Sequence, residues 1–298
     1  LEALSGFALS KSFEVKELER AARWLLAVAG KSSQAKGFAY TALALSDIQV
    51  GLLGQAVKHY NKSLQHLETA GETSQHTRTL CLLGAAYTER RQFDLAEDCC
   101  QRGLEQSANI NVFAELVART TMVPILLHRD ETDKAEETIR YVLHLSQKAS
   151  NRLHIGRAYA QLADVDYHCG RLKEAIGNYQ QAIELFTLLK YPYRLAETLA
   201  KLSICYLKNK QIDKALEVCR QARTISRENQ FRYSLIIASE VMARCFVNQN
   251  RLAEAKTYLR EAKHALEEMK ANLPEEAIPN FLSDKTELLN LCQKHIGH

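Results

Sequence analysis

Residues 83–103 read LGAAYTERRQFDLAEDCCQRG, and residues 202–222 read LSICYLKNKQIDKALEVCRQA. Each stretch has Leu followed by a small residue (Leu83-Gly84, Leu202-Ser203), then a tyrosine (Tyr87, Tyr206), an alanine nine residues later (Ala96, Ala215) and a cysteine four beyond that (Cys100, Cys219). The alanine extends in both directions as Ala56, Ala96, Ala135, Ala175, Ala215 and Ala255, spaced 40, 39, 40, 40 and 40 residues. Twelve residues before each stand Ala44, Gly84, Val123, Ala163, Ser203 and Ala243, each preceded by Leu or Met; four residues after come Tyr60, Cys100, Ile139, Tyr179, Cys219 and Leu259. Six units with a common frame make an internal repeat.

Spacing within a unit is helical. Tyr159, Leu162, Ala163 and Asp166 lie at i, i+3, i+4 and i+7, and Ala175, Tyr179 and Ala182 resume the stripe after Gly170. Each unit therefore reads as two antiparallel helices with a short break. Small residues on both helices permit close approach, and large residues one turn away fill the adjacent grooves.

These residues resemble the tetratricopeptide repeat, whose pattern is L-G-x-x-Y followed by Ala nine residues later. Two departures stand out: Asp47 and Asp166 replace the tyrosine in the first and fourth units, and the third unit is degenerate, with Pro124 inside its first helix. That proline should kink or loosen the turn. The aspartates are expected either to face the turn while Ile48 and Tyr167 pack, or to make a polar contact to a ligand or neighbouring helix. The family period is usually 34; the six extra residues here add about 9 Å of helix per unit. Elongated repeats of this kind are similar to those of kinesin light chains, of the cell-polarity adaptor with G-protein-binding motifs and of regulatory modules on bacterial signalling proteins, a pointer to adaptor or sensor roles.

The expected fold class is all-α, an α-solenoid whose antiparallel helix pairs coil into a right-handed superhelix. Length alone suggests about two domains, but the repeat replaces that with one quasi-linear domain over 1–298. Residues 1–31 form a truncated leading half-repeat, 33–270 the six repeats and 276–298 a C-terminal capping or docking helix, with Phe281 to Ile296 read as one amphipathic helix. Because the chain opens at Leu1, it reads as a fragment or a processed chain.

Twelve Gly and 4 Pro in 298 residues exclude collagenous and Pro-rich chains. A net charge of +4, dispersed along the chain, gives no electrostatic case for nucleic acid or anionic membrane. Eight cysteines show no C-x-x-C pair and no zinc or disulfide spacing, which suits small buried apolar residues in a reducing cytoplasm. The longest wholly apolar run, Trp24 to Ala29, is too short to span a bilayer. No phosphate-binding, dinucleotide-binding, nucleophile-elbow or zinc-protease motif occurs. The expectation is thus a non-enzymatic protein with no cofactor and no metal.

In the family, first helices line a concave face. The resemblance places Phe38, Thr41, Leu45, Arg78, Cys81, Ala85, Thr120, Arg157, Gln161, Asp164, Lys201, Ile204 and Arg244 on that face. Chaperone-binding members hold a terminal carboxylate with Lys and Asn at two of these positions; at the first of them this chain has Thr41, Cys81, Thr120, Ala160, Ala200 and Glu240, which disfavours that ligand. Apolar and mixed-sign residues suit an extended or helical peptide. The expected function is an interaction module or adaptor taking a peptide segment of a partner protein in the groove. The alternative is a ligand- or peptide-sensing regulatory domain of a larger signalling protein or transcription regulator, with other domains of the parent chain as partners. RNA binding is a third, disfavoured reading, since base-reading repeats have a 35-residue unit.

Overall fold

The computed structural model describes residues 15–107 and 112–296. The opening of the leading half-repeat (1–14), residues 108–111 and the last two residues of the C-terminal segment lie outside the described residues. Among the described residues there are fifteen α-helices, one 3-10 turn and no strand. In chain order the helices are α1 (Val15–Val28), α2 (Ser33–Val50), α3 (Leu53–Thr69), α4 (Thr73–Glu89), α5 (Phe93–Ser107), α6 (Val112–His128), α7 (Thr132–Lys148), α8 (Arg152–His168), α9 (Leu172–Leu188), α10 (Pro192–Lys208), α11 (Ile212–Asn229), α12 (Arg232–Asn248), α13 (Leu252–Lys270), α14 (Ile278–Leu282) and α15 (Thr286–Ile296). The fold class is all-α, stacked helix pairs of the α-solenoid kind.

Two compact units divide within α7, between Leu145 and Ser146. In the first, α2 pairs with α3 and α4 with α5, while α4 also touches α6, the first helix of the next repeat. In the second, α8 pairs with α9, α10 with α11 and α12 with α13, and α10 lies against α12. First helices therefore stand side by side within each unit.

The repeat frame explains the contacts. All six frame alanines, Ala56 through Ala255, are 0% exposed, and Tyr60, Cys100, Ile139, Tyr179, Cys219 and Leu259 are buried beside them. Close approach is tightest at glycine. A Cβ on Gly84 would lie 3.1 Å from the Ala96 carbonyl oxygen, and one on Gly156 would lie 2.9 Å from the Phe186 ring. In the second unit one core runs through Ala163, Tyr179, Leu202, Cys205, Leu216, Met242 and Phe246.

A left-handed residue ends most helices. Gly30, Gly51, Gly71, Arg91, Asp130, Ser150, Gly170, Lys190, Lys210, Gln230 and Asn250 have φ between 51° and 82°. The amide after such a residue closes the turn onto a carbonyl five residues back: Leu52 to Asp47 at 2.8 Å, Arg171 to Asp166 at 2.8 Å and Gln211 to Tyr206 at 2.9 Å. This Schellman closure satisfies carbonyls that helix ends would otherwise orphan.

Pro124 lies inside α6, which runs from Val112 to His128, and one expectation is corrected. The segment from Phe281 to Ile296 is not one helix, because α14 stops at Leu282 and α15 begins at Thr286. Ser283 and Lys285 amides turn back onto the Asn280 and Leu282 carbonyls, which separates the short proline-started α14 from α15. Leu288 and Cys292 of α15 are buried, and α15 packs on α13.

Candidate functional site

First-helix side chains divide into buried and partly open sets. Thr41, Cys81 and Thr120 are 6%, 0% and 2% exposed, so these three expected face residues belong to the interior. Thr41 Oγ1 lies 2.7 Å from Ser63 Oγ and 3.2 Å from Thr79 Oγ1, joining α2 to α3 and α4. Thr120 donates to the Leu116 carbonyl. Cys81 faces Gly103, and its sulfur fills the space a side chain there would need. Their position carries only small residues from the first through the fifth repeat.

Within the first unit, Phe38 and Leu45 are partly buried against α1, Phe38 beside Leu25 and Ala29 and Leu45 beside Leu18 and Ala22. Ala85 is partly exposed. Arg78 is partly exposed as well, yet has no hydrogen-bond or ion-pair partner among the described residues, and burial pulls its guanidinium below the usual arginine range.

The second unit brings more together. Lys201 Nζ of α10 donates to Asp164 Oδ2 of α8 at 2.9 Å and lies 3.3 Å from Glu197 Oε1. Arg194 Nη1 donates to the other Glu197 oxygen at 2.7 Å, and the Tyr179 hydroxyl of α9 donates to Asp164. Burial pushes the Glu197 carboxyl up, but Arg194 and Lys201 outweigh it and hold the group well below the ordinary carboxylate range. Lys201 is likewise drawn upward by Asp164 and Glu197 against the effect of burial. Arg157, at the repeat position of Arg78, stands one turn before Gln161 and has no partner of either kind among the described residues. Ile204 packs partly on the core. Arg244 is engaged by Glu240, Nη2 to Oε1 at 2.6 Å, and by Glu287 of α15.

Glu197 and Arg194 were absent from the residues expected at the face. Their signal lay in the charges of Arg194, Glu197 and Lys201 at i, i+3 and i+7 on one helix. The aspartates that replace the repeat tyrosine turn to the facing helix: Asp166 accepts from Arg171 Nε at 2.8 Å and Asn178 Nδ2 at 2.7 Å, and Asp47 Oδ2 lies 2.6 Å from His59 Nδ1. Ile48 and Tyr167 pack against the cores.

All eight cysteines are free and all but Cys169 are buried. Burial pushes Cys81, Cys205 and Cys219 up to about 12, so these thiols stay protonated and pack as apolar groups. Among the described residues no three His, Cys, Asp or Glu side chains gather as a metal ion would require. No described helix is long and apolar enough to cross a membrane.

Residues 107–279 match the MalT-like TPR region. The chain belongs to that family. Its elongated tetratricopeptide repeats recur in solved structures of low sequence identity, which share the fold. A Rap protein complexed with competence and sporulation factor is 16% identical with a TM-score of 0.65, over 93% of this chain and 81% of that one. The Rap conjugation gene regulator of plasmid pLS20, in complex with the Phr* peptide, is 13% identical with a TM-score of 0.58, over 89% and 78%. A signal transduction ATPase with numerous domains and a tetratricopeptide repeat sensor, from Pyrococcus horikoshii, is 15% identical with a TM-score of 0.55; the match covers 94% of this MalT-like TPR chain and 44% of that protein. No curated protein matches the sequence.

Proposed function

We propose that the chain is a non-enzymatic interaction module that binds an extended segment of a partner protein on its first-helix face. The observation that carries this reading is the second unit's α8 and α10, where polar Arg157, Gln161, Asp164 and Lys201 and apolar Ile204 are all partly exposed and Lys201 joins Asp164 across the two helices. Apolar surface supplies affinity to such a segment, and fixed polar groups set its register. Phe38, Leu45, Arg78 and Ala85 are the corresponding candidates in the first unit, and Arg244 closes the series. Thr41, Cys81 and Thr120 drop out because nothing can reach them. The chain is read as one array of six repeats working in the cytoplasm, with its C-terminal helix as a cap.

A second reading is a sensor domain of a larger regulator. Family membership favours it, as do peptide-bound Rap proteins and a repeat sensor among the structures with this fold. A metabolite or peptide at a hundred times its Kd raises the stability of the folded chain by about 2.7 kcal/mol. Thermal shift across a metabolite set and a peptide set separates the two readings. Stabilisation by a metabolite alone contradicts the interaction module. Stabilisation by peptides alone, with a protein partner recovered by affinity capture, supports it.

A further inference from the structure

Arg244 stands eleven residues before its frame alanine, at the repeat position that carries Leu45, Ala85, Pro124, Asp164 and Ile204 in the other units, and it is the one cation of the six. In the second unit Asp164, Ile204 and Arg244 are all partly exposed on their first helices. Two carboxylates hold Arg244. Its Nε and Nη2 donate to Glu240 Oε1 of the same helix at 3.1 and 2.6 Å, and Nη2 also donates to Glu287 Oε2 of α15. The two contacts differ in kind. Glu240 lies one turn back on α12 with its side chain 19% exposed, whereas the Glu287 side chain is 79% exposed. Glu240 alone neutralises the guanidinium, so Glu287 is a second anion on a cation already paired, and an ion pair that open to water is weak. The helix carrying Glu287 is fixed by other groups. Leu288 and Cys292 are buried, and Lys285, next to the start of α15, has Nζ 5.6 Å from the centre of the Tyr233 ring of α12 and 5.7 Å from that of Phe281. Glu287 can therefore turn into solvent while α15 stays in place.

We propose that Glu287 is an internal placeholder, and that the carboxylate of an Asp or Glu side chain on the bound partner segment takes its place on Arg244. A guanidinium presents a planar fork of donors that matches a carboxylate, and the chain already shows an outside carboxylate in contact with it. The exchange leaves the number of ion pairs unchanged. The acidic residue therefore sets where along the first-helix face the segment sits, while the rest of the segment supplies most of the affinity. This inference rests on the peptide-binding reading and gives one contact of that reading its chemistry.

The test uses the whole chain as selector against displayed random twelve-residue peptides, with affinities of the enriched peptides then measured by fluorescence anisotropy. Enriched peptides should share an acidic residue at one place, and exchanging it for Asn or Gln should weaken binding about three- to tenfold. Glu287→Gln removes the competitor and should tighten binding of the acidic peptides about two- to fivefold, the size of an exposed ion pair. That gain should vanish for the neutral peptides and in an Arg244→Met background, where a general effect of the added positive charge would persist. Glu287 is exposed, so Glu287→Gln leaves the fold intact, and the exchange on the peptide probes Arg244 without altering the chain. Enriched peptides without a shared acidic residue, or a Glu287→Gln variant that binds acidic peptides no better than the parent, overturn the placeholder while leaving peptide binding in place. A gain that persists in Arg244→Met overturns it as well. Failure to enrich any peptide overturns both.

Discussion

At the scale of single residues, the turns carry a cost that sequence reading did not detect. Gly51 and Gly170 were legible as turn residues, but Arg91, Asp130, Ser150, Lys190, Lys210, Gln230 and Asn250 adopt the same left-handed backbone. A side chain there is disfavoured by about 1–2 kcal/mol, and the Schellman bonds and core on either side hold it in place. Lys210→Gly should therefore raise stability by about 0.5–1 kcal/mol in a urea titration, because relief of strain exceeds the added freedom of the unfolded chain. No gain would mean that the Lys210 side chain contributes something the backbone does not reveal. Glu197 gives the complementary case. Its folded carboxyl is held below the ordinary value of 4.5, so the native state binds fewer protons than the unfolded one. Its contribution is fully present above pH 4.5 and fades as pH falls below that value. Glu197→Gln should cost about 2 kcal/mol at pH 7, less than a fully buried pair because Arg194 and Lys201 reach solvent, and the gap to the parent should close as the pH drops toward 2.

At the scale of helices, the forty-residue period was legible because close helix contact tolerates only small residues at fixed spacing. Ala175 and Ala215 sit where no larger residue fits, so they announce the frame. The charge cluster was hidden for the opposite reason: Asp164 and Lys201 come from different repeats and meet only when α8 and α10 pack side by side. Thr41, Cys81 and Thr120 were misplaced because the general family pattern does not distinguish an open face from a sealed contact. The break between α14 and α15 was missed because Leu282, Leu288 and Leu289 keep a helical rhythm through a turn. Packing makes a paired prediction with opposite signs. In α8, Gly156→Ala should destabilise by about 1–3 kcal/mol, since Phe186 has no room to retreat. In α9, Gly177→Ala meets nothing within 4 Å and should stabilise by about 0.5–1 kcal/mol through helix propensity. Equal effects at the two sites would contradict the close-approach explanation.

At the scale of the molecule, the repeat runs without a sequence linker from 33 to 270, which supports reading the chain as a single array. Neighbour-to-neighbour coupling in such arrays spreads stability along the chain. Trp24, the one tryptophan, reports on the first unit, whereas far-UV circular dichroism reports on all helices. Their urea transitions should coincide; separate midpoints would make the two compact units independent domains. The proposed function lies on the first-helix face, and hydrogen exchange with and without a selected peptide tests that proposal most directly. Bound peptide should slow exchange in α8 and α10, with α9 and α11 changed little. Protection confined to α9, α11 or α13, or no protection in any helix at saturating peptide, would contradict it.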